Sequence, residues 1–194
     1  MGRMTYDAWE VFHIRRNDQS EDAMSAAVAV ALPGGHMQFF HVETFNLKSG
    51  IHVEQALMTA LNTQYGTLQA LPTRCTIIFV ARWSPCRECI QGTIPKFLSL
   101  TNIVDKSIRV KFRFEKYYAH GIFPRAERVR SEHLWRTEGE AIAAYDALAN
   151  QYDYHNFKVT DAVPGGFAVN LKRRLVFAPA QVTKTSQMDT WILT

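Results

Sequence analysis

The sequence predicts a single α/β domain, with helices layered around a mixed sheet. Three observations support this prediction: a hairpin signal near the N-terminus, one strictly alternating strand over residues 108–114, and helical patterns that separate the later strands. The chain of 194 residues is long enough for one well-filled core and too short for two ordinary domains. We therefore expect residues 1–194 to form one domain.

The first part of the chain is predicted to contain a hairpin followed by a helix. Pro33-Gly34-Gly35 is a turn signal between two apolar stretches. The following helix is amphipathic, because Leu57, Leu61 and Tyr65 recur at intervals of four residues. A short helix and then a loop are expected over residues 1–22, and the two strands and the helix are placed at 23–32, 36–45 and 52–64.

The middle of the chain predicts a central strand and a second helix. Residues 76–80 are apolar at every position except Thr76, which is typical of a strand covered on both faces. Ser84 and Pro85 suit an N-cap and a first helical residue. We therefore expect a helix with Cys86 in its first turn that runs to about Leu100.

Residues 108–114 give the clearest strand, because apolar and basic residues alternate strictly. The basic positions are Arg109, Lys111 and Arg113. Such a face suits a polynucleotide-binding surface, and it suits equally an edge strand protected by charge.

The remainder of the chain predicts two helices and two further extended segments. The helices cover 124–136 and 139–151, the second with Ile142, Tyr145 and Leu148/Ala149 on one face. Residues 157–163 are predicted to form a strand, so that the domain core covers about 23–163. In the extension over 164–194, the apolar positions between Phe167 and Phe177 suit a strand better than a helix.

Composition restricts the class of protein. Hydrophobic residues at 47% and charged residues at 21% are globular values. Two of the three cysteines form a C-x-x-C, which argues against a disulfide framework, and the third, Cys75, is expected to be buried. We expect an intracellular protein that is not inserted in a membrane, since neither a signal-peptide layout nor a membrane-spanning run is seen. The net charge of +4 is compatible with an anionic partner.

The chemistry is indicated by His52-Val53-Glu54, followed by Pro85-Cys86-Arg87-Glu88-Cys89. One imidazole, one carboxylate and two thiols follow each other in the order H-x-E and then P-C-x-x-C, the signature of zinc deaminases. His52, Cys86 and Cys89 are therefore candidate Zn²⁺ ligands. Three protein ligands leave a tetrahedral zinc one open position for an activated water, and Glu54 is placed to move its protons.

The spacing of His52 and Glu54 imposes a condition on the structure. Residues two apart in a regular helix point about 200° apart. Both side chains can face one ion only if His52 lies at the mouth of the helix, and Gly50 makes such an irregular start plausible.

Other interpretations of these residues remain. The C-x-x-C could belong to a closed zinc knuckle, with Cys75 or another histidine as fourth ligand, or could bind no metal. His41-Val42-Glu43 repeats the tripeptide. It lies in a predicted strand, where residues 41 and 43 share a face and no helix follows.

Gly50-Ile51-His52-Val53-Glu54 and Arg82-Trp83-Ser84-Pro85-Cys86-Arg87-Glu88-Cys89, with the aromatic pair Tyr117-Tyr118, resemble the AID/APOBEC family of polynucleotide cytidine deaminases. The resemblance implies a cytidine-deaminase-like three-layer α/β/α sandwich around a five-stranded mixed sheet. It implies that His52, Cys86 and Cys89 bind zinc and that Glu54 is the proton shuttle. The nucleotide contacts that it suggests are Trp83 and Ser84 in the cytosine pocket, Tyr117 as a stacking residue, and Tyr118, Val53 and Asn46.

An enzyme that acts on a base must reach it outside a duplex stack, so single-stranded DNA is the expected substrate, with RNA second. Cations that could follow the nucleic-acid backbone are Arg82, Lys116, His120, Arg125 and Arg128. The arginines could instead form an ordinary solvated helix face, and Tyr117-Tyr118 could be core residues.

Two other functions fit parts of the sequence. A deaminase of free cytidine, deoxycytidine or a nucleotide would use the same motif in a smaller domain. A catalytically inactive relative would bind single strands without changing them, although Glu54 is present.

Overall fold

The computed structural model of this protein describes residues 3–4, 23–34, 37–46, 52–120, 133–152, 175–179, 182–184 and 191–193. The strands are β1 (Arg3–Met4), β2 (Ala23–Ala31), β3 (Met37–Asn46), β4 (Thr76–Trp83), β5 (Arg109–Lys116), β6 (Leu175–Pro179), β7 (Val182–Lys184) and β8 (Trp191–Leu193). The α-helices are α1 (Val53–Tyr65), α2 (Ile94–Thr101) and α3 (Glu138–Tyr152). A 3₁₀ turn (Leu68–Ala70) follows α1, and a π-helical segment (Cys89–Thr93) leads directly into α2.

The main sheet is mixed, which confirms the predicted α/β class. Its strand order is β3-β2-β4-β5-β6. β2 pairs antiparallel with β3 and β4, whereas β4, β5 and β6 run parallel to one another. The strand beside β5 is Leu175–Pro179, so the extended segment in the C-terminal extension belongs to the main sheet. The strand predicted at 157–163 lies outside the described residues. A small antiparallel sheet has the order β1-β8-β7.

One face of the main sheet carries the hydrophobic core. Phe79 on β4 stacks on Phe112 of β5 at 4.7 Å, and Phe112 stacks on Phe177 of β6 at 5.0 Å. Side chains from α1, α2 and α3 join the same core, among them Leu57 and Phe97. The helices of the described ranges thus pack on this face, and the three-layer sandwich stays a prediction.

The opposite face of the sheet is partly basic. Alternation along β5 places Arg109, Lys111 and Arg113 opposite the core side chains, next to residues of β4 such as Val80. Burial lowers the pKa of Lys111, and the charges of Arg113 and Arg109 lower it further. β5 lies between β4 and β6, so the interpretation of this basic row as protection of an edge strand is wrong.

Three further sequence predictions are corrected. In α3, Tyr145, Leu148 and Ala149 are buried as expected, but Ile142 is exposed and Ala141 takes the core position. At the described end of the helix predicted at 124–136, His133 is in 3₁₀ conformation, whereas residues 134–136 are not helical and Trp135 forms an isolated bridge with Ala119. The helix expected to include Pro85 and Cys86 begins at Arg87. Within the described ranges, no helix combines the length and the apolar character that a membrane span requires.

Candidate metal centre

His52 lies at the mouth of α1, as the two-residue spacing to Glu54 required. It is the N-cap of the helix, with extended backbone dihedrals (φ −81°, ψ 129°), and its carbonyl accepts from Ala56 N–H at 3.2 Å. Glu54 lies in the first helical turn. Because His52 is extended and Glu54 is helical, the two side chains reach one cluster, and ligand atoms of His52, Glu54 and Cys89 lie within 4.8 Å of one another.

The two cysteines of the C-x-x-C lie at the start of the second helix. Residues 84–86 are irregular and the helix begins at Arg87, which corrects the predicted start at Pro85. The Ser84 hydroxyl caps no helix, since it bonds to Tyr118 and Tyr145 instead. Cys86 takes the capping position: its carbonyl accepts from Ile90 N–H at 3.1 Å, and the backbone N–H of Cys89 bonds to its sulfur.

His52, Cys86 and Cys89 form a three-donor cluster. His52 Nδ1 lies 3.3 Å from the Sγ atom of Cys86 and 3.3 Å from that of Cys89. In a tetrahedral zinc site with Zn–S near 2.3 Å and Zn–N near 2.0–2.1 Å, nitrogen and sulfur are roughly 3.5 Å apart. The donor set and its spacing therefore fit a zinc ion. The structure therefore supports a metal-binding group at this position.

Hydrogen bonds among these three side chains shift their pKa values. The bond from Cys89 lowers the pKa of Cys86 to about 4, and His52 contributes to the same shift. The bond to Cys86 raises the pKa of Cys89, and burial and the nearby Glu54 add to this effect. The bond to Cys86 also raises the pKa of His52. A metal ion bound between the two sulfurs would replace the proton that they share.

Glu54 is the acidic side chain inside the cluster. It is buried, and its Oε2 lies 3.3 Å from Cys89 Sγ. Burial raises the pKa of Glu54 to about 7, and the negative charge of Cys86 raises it as well. A carboxylic acid with this pKa can both take and give a proton near neutral pH.

Glu88 and His133 form an outer layer on the exposed side of His52. Glu88 Oε2 lies 3.4 Å from His52 Nε2 and 2.8 Å from His133 Nδ1. The rings of His52 and His133 have their centroids 5.3 Å apart, and a cavity of about 360 Å³ opens beside them, lined by Arg87, Glu88, Gln91, Gly92 and His133. A carboxylate on Nε2 holds the ring with Nδ1 free for a metal.

Sequence reasoning did not identify either outer residue. Glu88 was visible within the C-x-x-C, but nothing in the motif indicated that its side chain returns to the histidine. His133 lies far along the chain, without a recognisable spacing to the other donors. Ligand atoms of His52, Cys86 and His133 also lie within 4.8 Å of one another.

Of the predicted aromatic contacts, Trp83 and Tyr118 pack against each other. Both are buried, and their rings meet edge to face at 6.2 Å. Burial raises the pKa of Tyr118, and the charges of Cys86 and Glu54 raise it further, which reflects its proximity to the cluster. Tyr117 points elsewhere, to Phe114 at 5.0 Å and Tyr145 at 6.4 Å. The geometry therefore favours Tyr118 over Tyr117 as the aromatic residue of the site.

The other residues predicted to contact the nucleotide differ in how far their side chains are buried. Val53 is a buried core residue, and Asn46 ends β3. Arg82 is half-buried with its guanidinium over the Trp83 ring at 5.7 Å, while Lys116 and His120 are exposed. Arg125 and Arg128 lie outside the described residues.

The repeated tripeptide at 41–43 opens no helix. His41-Val42-Glu43 lies within β3, where His41 pairs with Ala27 of β2. Because only the copy at 52–54 opens a helix, the structure supports the choice of His52 and Glu54 as the motif.

Comparison with known proteins finds no family model that matches this chain and no curated protein that is similar to it.

Proposed function

We propose that this protein is a zinc-dependent deaminase that converts cytosine to uracil in single-stranded nucleic acid, with DNA favoured over RNA. The observation that carries the proposal is the buried carboxyl of Glu54, with a pKa near 7, beside a cluster of one imidazole and two thiols. This combination suits a hydrolysis that needs an activated water and a group that both takes and gives protons.

His52 Nδ1 and the sulfurs of Cys86 and Cys89 would hold the zinc ion. The bound ion supplies a water that ionises near neutral pH. Glu54 would take one proton from the water as it adds to C4 and deliver it to the ring nitrogen of cytosine. It would then take the second proton from the new C4 hydroxyl and give it to the amino group, which leaves as ammonia while the C4 oxygen becomes the carbonyl of uracil. The burial that raises its pKa keeps both protonation states accessible near pH 7.

The surroundings of the cluster support a nucleobase as substrate. Trp83 and Tyr118 offer an aromatic wall beside the donors, and aromatic side chains stack on bases of any sequence. Arg82, Lys116 and His120 lie on or just after the strands that carry this wall, where cations can follow a phosphate backbone. A base must leave its stack to reach such a site, which favours a single strand.

The proposal includes relationship to the AID/APOBEC family and its three-layer fold. It is supported by the mixed sheet, by the position of the H-x-E residues at a helix start, and by the C-x-x-C at the following helix. The Trp-Ser-Pro-Cys spelling at 83–86 supports the same relationship.

A closed structural zinc site is the second candidate function. Its support is His133, because a ligand atom of this residue lies within 4.8 Å of those of His52 and Cys86. If His133 took the fourth position, the ion would have no place for water and the centre would only stabilise the fold.

In the deciding experiment, the zinc-loaded protein is incubated with three cytosine-containing oligonucleotides of matched sequence and with free deoxycytidine. The oligonucleotides are single-stranded DNA, duplex DNA and single-stranded RNA. Uracil is then counted by sequencing the oligonucleotides and by chromatography of the nucleoside. We expect uracil in single-stranded DNA, less in RNA and little in the duplex. Conversion of deoxycytidine alone would establish a nucleoside deaminase. Binding to single strands without any conversion would establish an inactive relative.

The variant His133→Ala separates the open site from the closed one. In the open site, His133 is not a ligand, so the variant keeps its zinc and converts cytosine. In the closed site, removal of the fourth ligand weakens zinc binding, and the wild-type protein shows no turnover. Zinc content by mass spectrometry of the intact protein, together with the uracil assay, distinguishes these outcomes.

A further inference from the structure

A buried chain of hydrogen bonds joins helix α3 to the turn that carries the metal ligand Cys86. Tyr145 on α3 is only 4% exposed, and its Oη lies 2.6 Å from the Pro85 carbonyl oxygen and 2.7 Å from Ser84 Oγ. Trp135 Nε1–H also donates to the Pro85 carbonyl, at 2.9 Å. Two side chains that are distant in sequence thus converge on one residue of the metal-binding turn.

The hydrogens of this network can be assigned by elimination. A carbonyl only accepts, so the single hydroxyl hydrogen of Tyr145 is used on Pro85. The contact between Tyr145 and Ser84 must then be donated by the Ser84 hydroxyl. Ser84 Oγ in turn accepts from the backbone N–H of Tyr118 at 3.0 Å. The groups therefore form one chain of donors and acceptors. The Tyr118 N–H donates to Ser84, the Ser84 hydroxyl donates to Tyr145, and the Tyr145 hydroxyl donates to Pro85.

This assignment leaves the Ser84 hydroxyl no free hydrogen for a substrate. The Ser84 hydroxyl donates its hydrogen to Tyr145, and its oxygen accepts the backbone N–H of Tyr118. Ser84 is also only 3% exposed. The backbone N–H of Ser84 is also engaged, with the Lys116 carbonyl at 2.9 Å. The family resemblance suggests that Ser84 lines a cytosine pocket; its hydrogen bonds tie the turn to β5 and α3.

We propose that Tyr145 is a positioning residue for the metal centre, and that the Ser84 hydroxyl serves Tyr145 rather than the substrate. The network holds Pro85, which directly precedes the ligand Cys86, and it holds the backbone of Tyr118, whose ring meets Trp83. One hydroxyl on α3 thereby fixes the position of the ligand Cys86 relative to the aromatic rings of Trp83 and Tyr118. The turnover part of this inference depends on the proposed deaminase function, and the metal-binding part does not.

The test uses Tyr145→Phe, which removes one oxygen and keeps the ring packed against Phe177 at 4.6 Å. Tyr152→Phe is the matched control, since Tyr152 is a half-buried tyrosine at the end of the same helix. Zinc affinity is measured by chelator competition, the geometry of the thiolate ligands by the absorption of the cobalt-substituted protein, and kcat and KM on single-stranded DNA. Circular dichroism and thermal unfolding check that each variant is folded.

Removal of a group that orients a metal ligand typically costs about 10–100-fold in metal affinity or activity. We expect Tyr145→Phe to lower zinc affinity and kcat within this range, to change the cobalt–thiolate spectrum and to leave KM nearly unchanged. Tyr152→Phe should match the wild type in all three measurements. Because the two hydroxyls share one hydrogen bond, the losses caused by Ser84→Ala and Tyr145→Phe should not be additive, and the double variant should lose less than their sum.

Three results would overturn the inference. The first is a folded Tyr145→Phe protein with wild-type zinc affinity and cobalt spectrum. The second is a Ser84→Ala variant that raises KM alone, which would return Ser84 to the substrate pocket. The third is additivity of the two substitutions. If the wild-type protein shows no turnover, the proposed function fails, while the zinc and cobalt measurements still decide the role of Tyr145.

Discussion

The carboxylate Oε2 of Glu54 lies 3.3 Å from the sulfur of Cys89. The proposed acid and one proposed ligand are therefore direct neighbours, although they come from different helical segments of the chain. A carboxylate at this distance can reach a water bound to the same cation without itself being needed as a ligand. Metal binding and proton transfer are therefore assigned to different side chains, and each role can be tested by its own substitution.

The substitution Glu54→Gln should abolish most turnover and keep the metal. The amide has nearly the same shape, but it cannot take or give a proton near neutral pH. General acid–base groups contribute about 10²–10⁴-fold to rate, so uracil formation should fall by that factor. Zinc content and the uracil assay measure the two effects, and Glu138→Gln, at an exposed position on α3, is the control. Uracil formation at the wild-type rate would show that Glu54 is not the shuttle.

The protonation of Glu54 also predicts how the stability of the metal-free protein depends on pH. Burial raises the pKa of this carboxyl from 4.5 to about 7, so between these values the folded state holds a proton that the unfolded chain has lost. Its contribution to stability is fully present below pH 4.5 and is lost as the pH rises through 7. At 1.36 kcal/mol per pKa unit, the loss is roughly 3 kcal/mol.

This prediction is measured as a difference between two proteins. Urea unfolding of metal-free wild type and Glu54→Gln, under reducing conditions from pH 4.5 to 8, gives the difference in unfolding free energy at each pH. We expect the wild type to lose stability relative to the variant as the pH rises. Cys86, whose pKa is lowered to about 4, contributes with the opposite sign in both proteins and largely cancels. A difference that does not change with pH would contradict the elevated pKa.

The sequence predicted the elements whose signals are local. The hairpin, α1, β4, β5 and α3 lie close to the predicted bounds, because alternation and fourfold spacing report directly on the face that each element buries. The requirement that His52 lie at a helix mouth also followed from local geometry alone.

The errors concern interactions between distant segments. The start of the helix after Pro85 shifted because Ser84 bonds to Tyr118 and Tyr145 and therefore caps nothing. The position of β5 inside the sheet depends on a strand from the C-terminal extension. His133 lies beside the centre although it is distant in sequence from the other donors, and the sequence shows no recognisable spacing between them.

Removal of zinc should lower the thermal stability of the wild type but not of Cys86→Ser. At a zinc concentration of about a thousand times the Kd, binding stabilises the folded state by roughly 4 kcal/mol. A chain of this size shifts its Tm by about 2–4 °C per kcal/mol, so chelation should lower the Tm by roughly 8–16 °C. Cys86→Ser loses a ligand and should melt at one temperature with and without chelator. Cys75→Ser, a buried cysteine outside the cluster, should keep the zinc-dependent shift.

The exposed carboxylate of Glu88 should contribute to zinc affinity without binding the ion. It lies 3.4 Å from His52 Nε2, where it orients the ring and leaves Nδ1 to face the sulfurs. We expect Glu88→Ala to weaken zinc binding by about 10–100-fold, the usual effect of losing such a partner. Glu88→Gln should recover part of the loss, because its amide oxygen still accepts from Nε2–H. Gln91→Ala, which lines the same cavity, is the control in chelator competition. Equal affinities for Glu88→Ala and the wild type would remove Glu88 from the centre.

The two neighbouring tyrosines should differ in their effect on substrate. Tyr118 meets the ring of Trp83 beside the cluster, whereas Tyr117 packs against Phe114 and Tyr145. Stacking of a base on an aromatic side chain is worth about 1–3 kcal/mol, or roughly 5–150-fold in affinity. We expect Tyr118→Ala to lower kcat/KM on single-stranded DNA within this range. Tyr117→Ala should mainly lower the Tm. Both variants need kcat/KM and Tm measured together, since the loss of a buried ring also destabilises the fold. A larger loss of kcat/KM in Tyr117→Ala, at equal stability, would reverse the assignment and return the stacking role to Tyr117.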